Sequence, residues 1–129
     1  MDNIHALIID DDANNIGILA QLLIWEGLSY TQVLSATELK KILPVLQKVD
    51  VVFLDLEMPD VDGYAVLEML KLDDRFDTVP IVAHTVHFGE INNAQHVGFH
   101  SFLGKPLNMD HFPAQLARIL NGEHVWAIA

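Results

Sequence analysis

Four places in this 129-residue chain carry side chains that could do chemistry together. The run Asp10-Asp11-Asp12 closes the apolar stretch Ala6-Leu7-Ile8-Ile9, and Asp55 closes Val51-Val52-Phe53-Leu54. Thr85 follows Ile81-Val82-Ala83-His84, and Lys105 follows Phe102-Leu103-Gly104. Carboxylates brought within a few ångströms repel, so such a cluster must take up a proton or share a cation. Oxygen donors without cysteine suit a hard cation such as Mg²⁺, which keeps several waters and completes its shell with phosphate oxygens. That points to phosphoryl chemistry. Lys105 would add a point positive charge, and the Thr85 hydroxyl can hydrogen-bond a phosphoryl oxygen. A carboxylate can itself be the nucleophile and form an aspartyl phosphate; Asp55, between a buried strand and a loop, is the candidate.

The elements that must position these residues follow from apolar periodicity. Short, continuous, branched runs mark strands buried on both faces, and they alternate with stretches of helical period. Strands are expected near Ala6–Ile9, Tyr30–Leu34, Val51–Leu54, Pro80–His84 and Phe99–Leu103. Helices are expected over Asn14–Glu26, from a Ser35/Glu38 capping box to about Gln47 with a break at Pro44, over Tyr64–Leu72, over Ile91–Val97 ahead of Gly98, and over Asn108–Leu120. Glu57-Met58-Pro59-Asp60-Val61-Asp62-Gly63 reads as a loop, with Asp60 and Asp62 shaping the turn. Alternating strands and helices imply a doubly wound parallel α/β sheet, whose site lies at the carboxyl ends of the strands. All four chemical positions fall there.

Composition narrows the classes. The length suits one domain. A net charge of −11 disfavours nucleic acid, whose grip rests on Lys and Arg. Apolar residues make up 51% of the chain, enough for a core. There is no cysteine for disulfides or thiolate metal sites. No run approaches the length of a membrane span, and the start lacks the pattern of a signal peptide, so a cytoplasmic protein is expected. Seven histidines invite a zinc reading. However, His84 and His87 straddle a strand end, and His96 and His100 straddle Gly98, so neither makes a helical ligand pair.

Taken in order, Ile8-Ile9-Asp10-Asp11-Asp12, Leu54-Asp55-Leu56-Glu57-Met58-Pro59 with Asp62-Gly63, Ile81-Val82-Ala83-His84-Thr85 and Phe102-Leu103-Gly104-Lys105-Pro106 resemble the receiver domain of two-component response regulators. The resemblance runs from about Ile4 to Leu120. It implies a (βα)5, flavodoxin-like fold with five parallel strands in the order 2-1-3-4-5. Residues 1–122 would form the receiver domain, and 123–129 an apolar tail. It implies that Asp55 accepts a phosphoryl group from a phosphohistidine on a histidine kinase or phosphotransfer protein. Asp10, Asp11, Asp55 and the Glu57 backbone carbonyl would hold Mg²⁺ or Mn²⁺. Thr85 would bond the phosphoryl group and move toward it, with Phe102 as the aromatic that rotates inward in response. Lys105 would pair with Asp55, and the Lys105-Pro106 bond would be cis. Glu57, Val86 and His87 stand at positions that set access and phosphoryl lifetime.

The sequence departs from the family in three respects. Val86 replaces the usual Ala or Gly after Thr85 and should narrow access. His84 replaces an apolar residue, with a packed neutral imidazole as the expected reading. The segment between Thr85 and Gly98 is shorter than usual, within the face made with the fifth strand and last helix that relatives use for output. A downstream protein is expected as partner, with no direct nucleic-acid or membrane contact, and a dimer through that face or the tail is a further expectation. The tail, Glu123 to Ala129, could pack on the domain, mediate dimerisation or continue into a linker.

Rival classes fit less well. A dehalogenase-like phosphatase wants Asp-x-Asp after its first strand, and a nucleotide binder wants a glycine-rich phosphate loop that is absent here. A flavodoxin-like electron carrier shares only the fold class. Two alternatives stay open: a receiver module excised from a larger regulator or hybrid kinase, and a binding-only module that no longer takes phosphate.

Overall fold

The computed structural model describes residues 3–59 and 62–128, so Asp60 lies outside the described residues. Strands β1 (His5–Ile9), β2 (Ser29–Val33), β3 (Val51–Leu54), β4 (Ile81–Thr85), β5 (Ser101–Gly104) and β6 (Trp126–Ala127) form one sheet in the order β2-β1-β3-β4-β5-β6. Every adjacent pair is parallel. The first five strands have the doubly wound order expected. Helices α1 (Ala13–Trp25), α2 (Ala36–Ile42), α3 (Gly63–Lys71), α4 (Ile91–Val97) and α5 (Phe112–Leu120) cover both faces.

Alternation along each strand splits the core in two. Leu7, Ile9, Val52, Leu54, Ala83 and Phe102 face α2, α3 and α4. Ala6, Ile8, Val51, Phe53, Val82 and Leu103 face α1 and α5. The central strands are buried on both sides, which is why they read as unbroken apolar runs rather than as alternating ones.

Several boundaries differ from the sequence expectation, each for a local reason. The second helix stops at Ile42 and passes into a 3₁₀ turn over Leu43–Val45, because Pro44 has no N–H to continue the ladder. The Ser35 hydroxyl accepts from the Glu38 N–H at 3.1 Å, but Glu38 returns its bond to the Leu34 N–H at 3.3 Å. Phe99 is not part of β5. Gly98 adopts φ 105°, the Phe99 N–H reaches the Ala94 carbonyl at 3.0 Å, and the Phe99 ring plugs the core beneath α4. This is the hydrophobic closure of a helix C-terminus, and its apolar character mimics a strand residue. The last helix begins at Phe112, beside Pro113; the Asn108 side chain first caps a turn by accepting from the Asp110 and His111 N–H groups.

Of the three expectations for the tail, packing on the domain is the one the fold shows. The tail supplies a sixth strand: Trp126 and Ala127 lie opposite Phe102 and Leu103. The Phe102 N–H donates to the Val125 carbonyl at 2.8 Å, and the Val125 N–H to the Ser101 hydroxyl at 2.9 Å.

Candidate functional site

Each site residue continues a strand, and the backbone ladder holds it in place. The Asp10 N–H donates to the Val33 carbonyl at 3.0 Å, the Asp55 N–H to Ile9 at 2.9 Å, and the Lys105 N–H to Thr85 at 2.9 Å. Gly63 lets α3 start against the end of β3: a Cβ there would stand 2.4 Å from the Asp55 carbonyl oxygen. Asp62 caps α3, accepting from the Ala65 N–H at 2.8 Å.

The structure gathers the acids. One carboxylate oxygen from each of Asp10, Asp11 and Asp55 lies within 4.8 Å of the others, with Asp10 and Asp55 buried and Asp11 exposed. Lys105, itself buried, bridges the two buried members: its Nζ lies 2.6 Å from Asp10 Oδ2 and 3.3 Å from Asp55 Oδ2. The expected pairing with Asp55 is therefore present, but Asp10, the more buried acid, has the shorter contact. Asp10 Oδ1 accepts from the Asp12 N–H at 2.9 Å, and Asp55 Oδ1 from the Glu57 N–H at 3.2 Å. Burial raises the Asp10 carboxyl above the ordinary carboxylate value, against the pull of the Lys105 hydrogen bond; the Asp55 charge adds to the rise.

Thr85 is fully buried, and its hydroxyl accepts from the His87 N–H at 3.2 Å. A hydroxyl in that role still has a proton to donate. The Lys105-Pro106 peptide is cis. Phe102 lies fully buried in the core beneath α3 and α4, next to Ala83 in register. Val86 is exposed at the rim. The His87 Nε2 and a Glu57 carboxylate oxygen are in contact between the loops that follow β3 and β4, an ion pair when the imidazole is protonated. Sequence reasoning missed this pairing, although both residues stand two positions beyond a strand-end site residue. Beside it, the Tyr64 hydroxyl donates to Glu90 at 2.6 Å; burial and then Glu90 push that phenol up to about 12.

His84 points to the opposite face, edge-on to Phe53 at 6.5 Å between ring centres. Burial, then the Lys105 charge, push it down to about 3, so the imidazole is neutral. Its Nε2 is buried without a hydrogen-bond partner among the described residues. A surface groove lined by residues including Ile4, Ile42 and Leu46 shares no residue with the acid cluster and includes the start of β1, the end remote from Asp10. No helix among the described residues is long and apolar enough to cross a membrane.

Residues 6–117 match the family model for the response regulator receiver domain. The chain is 29% identical over 112 residues to stress response regulator protein 1 of Candida tropicalis, spanning 84% of this chain and 42% of that protein. A two-component response regulator from Clostridium difficile superposes with a TM-score of 0.76 at 31% identity, covering 92% of this chain and 97% of that one. The receiver domain of sensor histidine kinase PA1611 from Pseudomonas aeruginosa, solved with a magnesium ion coordinated in its active-site cleft, superposes at TM-score 0.75 and 24% identity, covering 93% and 96%. The ordered strand ends, the acid cluster and these matches define a phosphoacceptor class of protein. This chain belongs to the response regulator receiver domain family. It spans less than half the length of the curated relatives named for whole regulators.

Proposed function

We propose that this chain is a phosphoryl-accepting switch in which Asp55 is the acceptor. The observation that carries the reading is the convergence of Asp10, Asp11 and Asp55 within 4.8 Å around a buried lysine. An Asp55 carboxylate oxygen attacks phosphorus, the P–N bond of a phosphohistidine breaks, and the imidazole departs with the bonding pair. Hydrolysis of the acyl phosphate by water returns the carboxylate and inorganic phosphate. The oxygen-only donor set suits a hard divalent ion held by Asp10, Asp11, Asp55 and the Glu57 carbonyl. Mg²⁺ or Mn²⁺ bound there would neutralise charge as carboxylate and phosphoryl oxygens approach. Lys105 steadies the carboxylates before transfer and the phosphoryl oxygens after it. Thr85 donates its hydroxyl proton to the phosphoryl group, and Phe102 follows its movement.

The donor in this reading is a histidine kinase or phosphotransfer protein in the cytoplasm, and the output is a change in the surface offered to another protein. Given the share of its relatives that the chain spans, that surface can belong to a module of a larger regulator. The receiver unit runs to about residue 122, and the tail beyond it packs on the same sheet. Treatment with acetyl phosphate and Mg²⁺ tests the proposal: the adduct must be lost to hydroxylamine, as acyl phosphates are, and must map to Asp55. An adduct stable to hydroxylamine would place the phosphoryl group on a hydroxyl, and one that maps to a histidine would place it on an imidazole; either would refute it.

A further inference from the structure

The tail does more than extend the sheet; it reaches the catalytic end of β5. A Cβ added to Gly104 would stand 2.5 Å from the Ile128 carbonyl oxygen and 2.7 Å from the Phe88 ring. The last described residue therefore closes over Gly104, the neighbour of Lys105. Phe88, three positions after Thr85, lies against the same position. Below this point Trp126 sits opposite Phe102 in register and packs with the same core. Val125 is buried in the other core, which anchors the strand. The His124 ring stacks on Trp126 at 6.2 Å between centres and lies 4.3 Å from the ring of His100, just before β5.

We infer that β6 is an intramolecular strap whose docking on β5 is coupled to phosphorylation of Asp55 through the Phe88–Gly104–Ile128 contact. The inference rests on the phosphoacceptor reading above. Movement of Thr85 toward a phosphoryl group carries the loop bearing Phe88 with it, because the His87 N–H is bonded to the Thr85 hydroxyl. The Phe88 ring then leaves Gly104, and Ile128 loses the surface that frames it. Phosphorylation loosens the strap and exposes the β5 edge, which is otherwise closed by the chain itself. Coupling between two sites is reciprocal, so a strap forced off must in turn favour the phosphorylated conformation.

Trp25→Phe leaves Trp126 as the sole indole, since the chain has two tryptophans. In that chain, acetyl phosphate and Mg²⁺ are added, intact mass gives phosphoryl occupancy, and Trp126 emission with amide exchange over residues 125–128 reports the strap. Exchange should accelerate at least about five-fold on phosphorylation, the lower end of common coupling strengths. Gly104→Ala should show the fast exchange without phosphate, while keeping Val125 in the core. Phe88→Ala should phosphorylate, but its strap should exchange fast with or without phosphate, so that phosphorylation adds no further change. Full occupancy with unchanged emission and exchange overturns the inference, as does an undiminished response in Phe88→Ala. If no phosphoryl adduct forms, the mass alone shows that the underlying phosphoacceptor reading has failed, and the strap coupling falls with it.

Discussion

The Lys105 ammonium lies 2.6 Å from Asp10 Oδ2, closer than to Asp55, so the buried cation at the end of β5 serves first the most deeply buried acid. This arrangement makes Lys105 structural as well as chemical. Removing one partner of a buried, hydrogen-bonded ion pair leaves uncompensated charge, at a typical cost of about 3–5 kcal/mol. Lys105→Met should lose stability of that order in urea unfolding at neutral pH without divalent ions. A loss below about 1 kcal/mol would mean that the ammonium is not holding the carboxylates.

His84 sets a pH dependence. Its folded-state value of about 3 lies below the ordinary 6.5, so the unfolded chain binds the extra proton as pH falls through that window. Stability from this residue is intact above 6.5 and lost progressively toward 3, by up to about 1.4 kcal/mol per pH unit. His84→Leu removes the titration and the unpartnered Nε2 together. Between pH 7 and pH 5, its unfolding free energy should gain about 2 kcal/mol relative to the unsubstituted chain. Parallel curves across that range would show that the imidazole becomes charged inside the fold without penalty.

Much of the site was legible from sequence because a doubly wound sheet delivers strand ends to one edge. Once Asp10, Asp55, Thr85 and Lys105 were placed after buried runs, their convergence followed. Gly98 ended α4 as expected, since only glycine takes φ 105° without strain. The sixth strand was not legible. Two residues, Trp126 and Ala127, are too short for any periodicity, and their pairing depends on an open β5 edge that exists only after folding. Phe99 misled for a related reason: an apolar residue before a strand can as well be the plug of the preceding helix.

Val86 stands exposed at the rim next to Thr85, on the path by which a phosphodonor would reach Asp55 under the proposed function. Val86→Ala opens that approach to donor and water alike. Phosphorylation by acetyl phosphate and loss of the phosphoryl group should both speed up several-fold, followed by quenched time courses. Unchanged rates in both directions would exclude Val86 as a barrier.

The Glu57–His87 contact ties together the loops that follow β3 and β4. Both side chains are well exposed, so the pair should contribute less than about 1 kcal/mol to folding. Its effect should fall on the phosphoryl group: His87→Ala frees the loop and admits water, and the phosphorylated form should decay several-fold faster with an unchanged melting temperature. A decay rate equal to that of the parent chain would leave the bridge without influence on the site.

Intact mass spectrometry of the unsubstituted chain and of Asp55→Asn, each after acetyl phosphate and Mg²⁺, decides whether Asp55 is the acceptor. A single phosphoryl adduct, about 80 Da, should form on the first and none on the second, because only the Asp55 carboxylate is the nucleophile. An adduct on both chains, or on neither, would contradict it.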